Sequence, residues 1–188
     1  MSTSLAESEY DRHEIINGEI YRRSVPVLNH QRIVSNILCT FNNYLDDKND
    51  EVFNNLDTFF DKDNQYMPDI IVVCNPDILE DDGVHGVPDL VVEVLSKTTA
   101  DRDRNEKFVN YERYGVKEYW IVDPFMKRVE VYHLKDDKFV RSVTCQIYTD
   151  GEIRLLSDMD KAQIVSEIEV SLYDDFVVKV KDIFERVT

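Results

Sequence analysis

Between Asn29 and Asp46 the apolar residues Ile33, Val34, Ile37, Leu38, Phe41 and Leu45 recur at steps of three and four, the period of a helix that buries one face. The spacing predicts a helix over 29–46 with Asn29 as its N-cap. A different rhythm follows. Ile70-Ile71-Val72-Val73 and Leu90-Val91-Val92-Glu93-Val94-Leu95 are continuous runs rich in branched residues, the mark of strands buried on both faces. A looser apolar stretch over 52–60 precedes them, and an acidic loop over 78–86, containing Glu80-Asp81-Asp82-Gly83, separates them.

Around these runs lie shorter elements. Residues 13–23 read as two strands about Asn17-Gly18, a pair suited to a tight hairpin because both positions tolerate positive φ, with Glu19 just beyond the turn. Residues 99–114 read as a helix closed by Gly115, with Phe108, Tyr111 and Tyr114 on one face. A strand over 118–122 stops at Asp123-Pro124, and 128–134 with 139–143 form a meander about Asp136-Asp137. The tail predicts a strand near 153–156 and an amphipathic segment through Phe176, Val180 and Phe184. This order predicts an α/β fold: a mixed central sheet flanked by helices, with additional antiparallel strands. At 188 residues, without repeats or a linker, residues 1–188 read as one domain.

Charge narrows the functional classes. Lys and Arg number 22 against 38 Asp and Glu, a formal −16 that repels phosphate at long range and argues against indiscriminate DNA binding. A local basic rim or a bound cation reverses such a field only within about 8–10 Å. No signal-peptide run or membrane-length apolar stretch is visible, so a cytoplasmic location without membrane association is expected. Cys39, Cys74 and Cys145 are odd in number and lack CxxC spacing, which predicts reduced structural thiols.

Candidate chemistry sits on the two buried strands. Pro68-Asp69 and Pro88-Asp89 each open a strand, since proline cannot donate to a sheet ladder. Alternation turns Asp89, Val91 and Glu93 to one face. A glutamate among Val92, Val94 and Leu95 must be protonated, paired or metal-bound. Clustered carboxylates of Asp69, Asp89 and Glu93 would favour Mg²⁺ or Mn²⁺ over zinc. Spacing alone leaves a second reading open, in which the aspartates are strand-entry residues and Glu93 pairs with Lys107 or an arginine.

The pieces MPDIIVV, GVPDLVVEVLS and DRDRNEKFVNYERYGVKEYWIVDP, with INGEIYR, NHQRI and the closing run over 168–184, resemble the Uma2 family, a domain of unknown function placed in the PD-(D/E)XK nuclease superfamily. The resemblance covers almost the whole chain. It implies a restriction-endonuclease-like fold and metal-dependent hydrolysis of phosphodiester bonds in nucleic acid, DNA ahead of RNA. It implies Asp69 and Glu93 as metal ligands together with the Val94 carbonyl. Leu95 occupies the place where the superfamily usually carries lysine, and Lys107 matches a lysine moved to the following helix, with Lys97 as the nearer substitute. Glu19 matches the glutamate of the family's GE piece and would be a third acid. Arg102 and Arg104 would offer a positive rim, Ser96 a loop cap or site contact, and His30 packing or a cap. Tyr111, Tyr114, Tyr119 and Trp120 read as core. A homodimer fits double-strand cleavage. The competing class is a non-catalytic binding or scaffold protein on a nuclease fold, to which the missing in-strand lysine and the acidic balance both point.

Overall fold

The computed structural model describes residues 12–188. Six strands form the sheet that carries the site, in the order β12 (Lys138–Gln146), β11 (Arg128–Lys135), β10 (Glu118–Asp123), β9 (Leu90–Val94), β6 (Ile70–Val73), β3 (Glu51–Phe53). β9 and β10 are parallel and every other pair is antiparallel. A second six-stranded sheet runs β2 (Glu19–Arg22), β1 (His13–Ile16), β5 (Asn64–Tyr66), β4 (Thr58–Asp61), β8 (Gly83–His85), β7 (Leu79–Glu80). β13 (Glu167–Glu169) pairs with β14 (Val177–Lys179).

Alternation along the central strands feeds two cores. Leu90, Val92 and Val94 of β9, with Trp120 and Val122 of β10, pack against helix α1 (Leu28–Leu45) through Ile33, Ile37 and Phe41, and against Ile168, Phe176 and Ile183 from the C-terminal elements. The opposite face, through Ile71, Val91, Tyr119 and Ile121, packs against Ile16, Tyr66 and Val84 of the second sheet and Tyr111 of helix α3 (Glu106–Tyr114). The central sheet is therefore covered on both sides, as its continuous apolar runs require.

The mixed sheet and flanking helices agree with the sequence reading; several local expectations do not. Asn29 is not the cap of α1. Val27 holds that position without a side-chain bond, while the Asn29 amide donates to the Thr188 carbonyl. The helix expected over 99–114 breaks at Asn105 (φ −121°, ψ −85°) into α2 (Ala100–Arg104) and α3. Gly115 closes α3 in the left-handed region at φ 90°, where a side chain would be strained. The acidic loop over 78–86 is a hairpin of β7 and β8. Residues 153–156 are not a strand, because a reciprocal capping box starts helix α4 (Asp150–Leu155). Thr149 Oγ1 accepts from the Glu152 N–H while Glu152 Oε2 accepts from the Thr149 N–H. Helix α5 (Asp158–Ala162) follows, and the final amphipathic segment divides into β14 and helix α6 (Val180–Ile183). Cys39, Cys74 and Cys145 are free thiols.

Candidate functional site

β6 and β9 run antiparallel with Ile70 opposite Val92 and Val72 opposite Leu90. One step beyond that ladder, the register sets Asp69 opposite Glu93. The Val94 N–H donates to Asp69 Oδ2 at 2.9 Å, so the aspartate takes the ladder bond that a further β6 residue would have made. Asp69 is also gripped from outside the sheet. Arg23 Nη2 donates to Oδ1 at 3.1 Å, and His30 Nε2, from the first turn of α1, lies 3.1 Å from Oδ2. Burial pushes the Asp69 carboxyl up, but the His30 bond, the charges of His30 and Arg23 and the Val94 N–H outweigh it and hold it below the ordinary aspartate value.

Lys107 organises the other half of the site. Its ammonium, almost fully buried, lies 2.8 Å from Glu14 Oε1, 2.9 Å from Glu93 Oε1 and 3.6 Å from Asp103 Oδ1. Burial disfavours its charge, yet Glu14, Glu93 and Asp103 together hold it protonated well above the usual lysine value. Tyr111 donates its hydroxyl to Glu93 Oε1 at 2.8 Å, and the Met67 N–H donates to Glu14 Oε1 at 3.0 Å.

One ammonium cannot neutralise three buried carboxylates. Burial pushes Glu14 up, but the charge and hydrogen bond of Lys107, the charge of Arg23 and the Met67 N–H together hold it below its ordinary value. Burial pushes Glu93 up to about 8 against the pull of Lys107, with Asp103, Asp69 and Glu14 adding to the rise, and Asp103 is raised for the same first reason. Asp103 Oδ1 is buried and has no hydrogen-bond partner. Four buried carboxylates thus face one lysine, one arginine and one histidine. The donors on offer are hard carboxyl oxygens that outnumber the cations beside them, a set that fits Mg²⁺ or Mn²⁺ and does not suit a thiophilic metal.

Asp69, Glu93 and Lys107 therefore come together, and two other expected residues do not. Glu19 is exposed on β2, where it accepts a 2.7 Å bond from Tyr21. The buried acid of that hairpin is Glu14, on the strand before the turn. Asp89 lies at the far end of β9, bonded to the Cys74 N–H at 2.8 Å and to Lys117 Nζ at 2.7 Å. It stands a strand's length from Glu93, and its separation from Asp69 follows from strand direction. Both strands open on Pro-Asp, and antiparallel strands put their first residues at opposite ends.

Of the expected rim, Arg104 is committed to Glu130 through two bonds of 3.0 Å. Arg102 lies over the Tyr21 ring. Lys97 is exposed past the end of β9, and the Ser96 hydroxyl caps the loop by accepting from the Thr98 and Thr99 N–H groups. Asp103 enters the site as the helix partner of Lys107, while Glu14 as a buried acid and His30 as the partner of Asp69 are additions of the structure. For Asp103 a signal existed, its four-residue spacing from Lys107. For Glu14 there was only its place on a half-buried strand.

Among the described residues, one set of three acidic or histidine side chains brings all its ligand atoms within 4.8 Å of one another: Glu80, Asp82 and His85 on the β7–β8 hairpin. All three are exposed, and His85 Nε2 is already 2.9 Å from Asp82 Oδ1. Buried Glu14, Glu93 and Asp103 are instead gathered around Lys107. No helix among the described residues is long and apolar enough to cross a membrane.

Comparison with known proteins agrees with this architecture. The chain matches the Uma2 family model, described as "putative restriction endonuclease", over residues 3–161. It is 31% identical over 134 residues to the uncharacterized protein slr1290 of Synechocystis sp., covering 70% of each chain. It is 29% identical over 137 residues to sll1609 of the same organism, covering 70% of this chain and 77% of that one. Its fold is similar to a crystal structure from Anabaena variabilis described as a putative nuclease belonging to DUF820, with a TM-score of 0.72, 20% identity, and 95% and 92% of the two chains covered. The match spans far more than half of the sequence, so the chain belongs to the Uma2 family and has a nuclease-like fold.

Proposed function

We propose that the protein is an endonuclease that hydrolyses phosphodiester bonds of nucleic acid, DNA in the first place, with Mg²⁺ or Mn²⁺ held by Asp69 and Glu93. The observation that carries this reading is the surplus of buried carboxylate at one sheet end, where Glu14, Asp69, Glu93 and Asp103 outnumber the cations beside them. Structural ion pairs usually balance, and a buried imbalance marks a place where a cation is expected. The N–H and C=O of a strand residue point to the same edge, so the Val94 carbonyl shares the edge on which its N–H meets Asp69 and is a third oxygen within the reading.

A bound divalent cation would supply Lewis acidity at the phosphoryl oxygens and a more acidic water. The residues of the chain do the rest. Arg23 and His30 fix both oxygens of Asp69, and Tyr111 and Lys107 fix Oε1 of Glu93. Lys107 is too firmly protonated to act as a base. Its part is that of a fixed cation, which orients the water and balances charge developing on the phosphate. Residues 1–188 are read as one domain, working in the cytoplasm as a homodimer.

Calorimetric titration of Mg²⁺ and Mn²⁺ into the wild type, D69A and E93Q, alongside plasmid nicking, tests the assignment. Binding and nicking in the wild type, both lost in the two folded variants, are expected. Retained cleavage by E93Q would sink it.

A scaffold without catalysis is the second reading. Asp69 favours it, because its two oxygens already accept three bonds inside the protein. Absence of cation binding by the wild type, with nucleic acid present, is the result that reading expects.

A further inference from the structure

Phe125 is the one exposed phenylalanine, tyrosine or tryptophan among the described residues, with 92% of its surface open to solvent. The turn that carries it, between β10 and β11, is firmly built. Asp123 Oδ1 accepts from the backbone N–H groups of both Phe125 and Met126, at 2.9 and 3.0 Å. Pro124 restricts the backbone before the ring, and Lys127 follows at φ 46° with its ammonium donating to the Val187 carbonyl at 2.8 Å. A ring on a fixed backbone loses little further freedom when a partner stacks on it.

Strand pairing locates the ring relative to the site. β9 and β10 are parallel with Val94 beside Val122, so the turn emerges at the sheet end that holds Glu93 and Asp69. The C-terminal residues join this turn to the start of α1: Val187 receives the Lys127 bond, and Thr188 receives the Asn29 amide. Leu28, 65% exposed, opens the same helical turn from which His30 reaches Asp69. Phe125 and Met126 thus stand at the end of the sheet that carries Asp69 and Glu93.

Charge says what the ring is for. Proteins that hold nucleic acid through phosphate contacts draw their affinity from many lysines and arginines and the counterions these release. This chain is −16, and Arg23, Arg104 and Lys107 are already paired with carboxylates. Stacking of a base on an aromatic ring needs no net positive charge. A protein partner would need about 800 Å² on each side, far more than one ring and its aliphatic neighbours offer.

We propose that Phe125 is a stacking platform for an unpaired base of the polynucleotide, and that the preferred substrate therefore carries a single-stranded stretch beside the scissile bond. The inference rests on the nuclease reading. The test is equilibrium binding, with Ca²⁺ replacing Mg²⁺, of a single-stranded DNA dodecamer carrying one 2-aminopurine and of the matching duplex, to the wild type, F125A and F125W. The wild type should bind the single strand more tightly than the duplex, with a change in 2-aminopurine fluorescence and a shallow salt dependence. F125A should weaken single-strand binding roughly tenfold, and F125W should restore it. Unchanged single-strand binding by F125A overturns the platform while leaving the nuclease reading standing. A change in the sedimentation of F125A, with oligonucleotide binding intact, assigns the ring to a protein contact and also overturns it. Failure of the wild type to bind either DNA removes the nuclease reading, and the platform with it.

Discussion

The ammonium of Lys107 lies 2.9 Å from Glu93 Oε1, although one residue belongs to helix α3 and the other to the end of β9. The same nitrogen serves Glu14 from the second sheet, 93 residues away in sequence, so a single buried cation ties together three elements. It is a positional device as well as an electrostatic one.

Removing that cation should therefore be costly. Lys107→Met leaves Glu14, Glu93 and Asp103 buried without their common partner, and a loss of about 3–5 kcal/mol is expected from denaturant unfolding. Adding Glu93→Gln to it should recover part of that loss, since the surplus carboxylate is then gone. Strict additivity of the two changes would show that Lys107 and Glu93 are not coupled.

Asp89 should behave in the opposite way. Its partners are the Cys74 N–H and the largely exposed Lys117, at the other end of β9 from Glu93. Asp89→Asn should cost no more than about 1 kcal/mol and leave Mg²⁺ affinity unchanged by calorimetry. A large fall in affinity would return Asp89 to the metal site.

Acid stability offers a third test, away from the cation site. Burial pushes the Glu130 carboxyl up, but the paired Arg104 bonds, the Tyr132 hydroxyl and Arg128 bring it below the ordinary glutamate value. A group with a folded pKa below its unfolded one stabilises fully above the unfolded value, and that contribution is lost as pH falls through the folded value. The stability gap between wild type and Glu130→Gln should be constant at neutral pH and shrink below about pH 4.5. A gap independent of pH would mean the pair contributes through packing alone.

Long apolar periodicity was the most readable feature. Helix α1 and strands β6 and β9 carry enough buried positions that tertiary context had little room to override them. The expected chemistry on those strands was harder to assemble, because sheet direction leaves no trace in a single strand. Parallel strands opening on Pro68-Asp69 and Pro88-Asp89 would have brought the two aspartates together. Antiparallel ones bring Asp69 to Glu93. Glu14 is hard to read for a related reason: adjacent Ile15 and Ile16 leave the buried face of His-Glu-Ile-Ile undecided, and docking of β1 against β5 and α3 settles it on the face of Glu14 and Ile16. Helix α4 does carry its own signal in the sequence, since Thr149 and Glu152 have the local spacing of a helix start. The break at Asn105 had no comparable warning.

Asp69 and Glu93 are the two mouths of a single excursion: the chain leaves one spot along β6, turns through the β7–β8 hairpin and comes back to it along β9. Whatever happens at the hairpin tip, around the exposed Asp81 and Asp82, happens away from that spot. Extra residues spliced into the tip would lengthen the detour without altering where it begins and ends, so this hairpin is the natural place to graft a new binding loop onto the protein while keeping its buried acids in step.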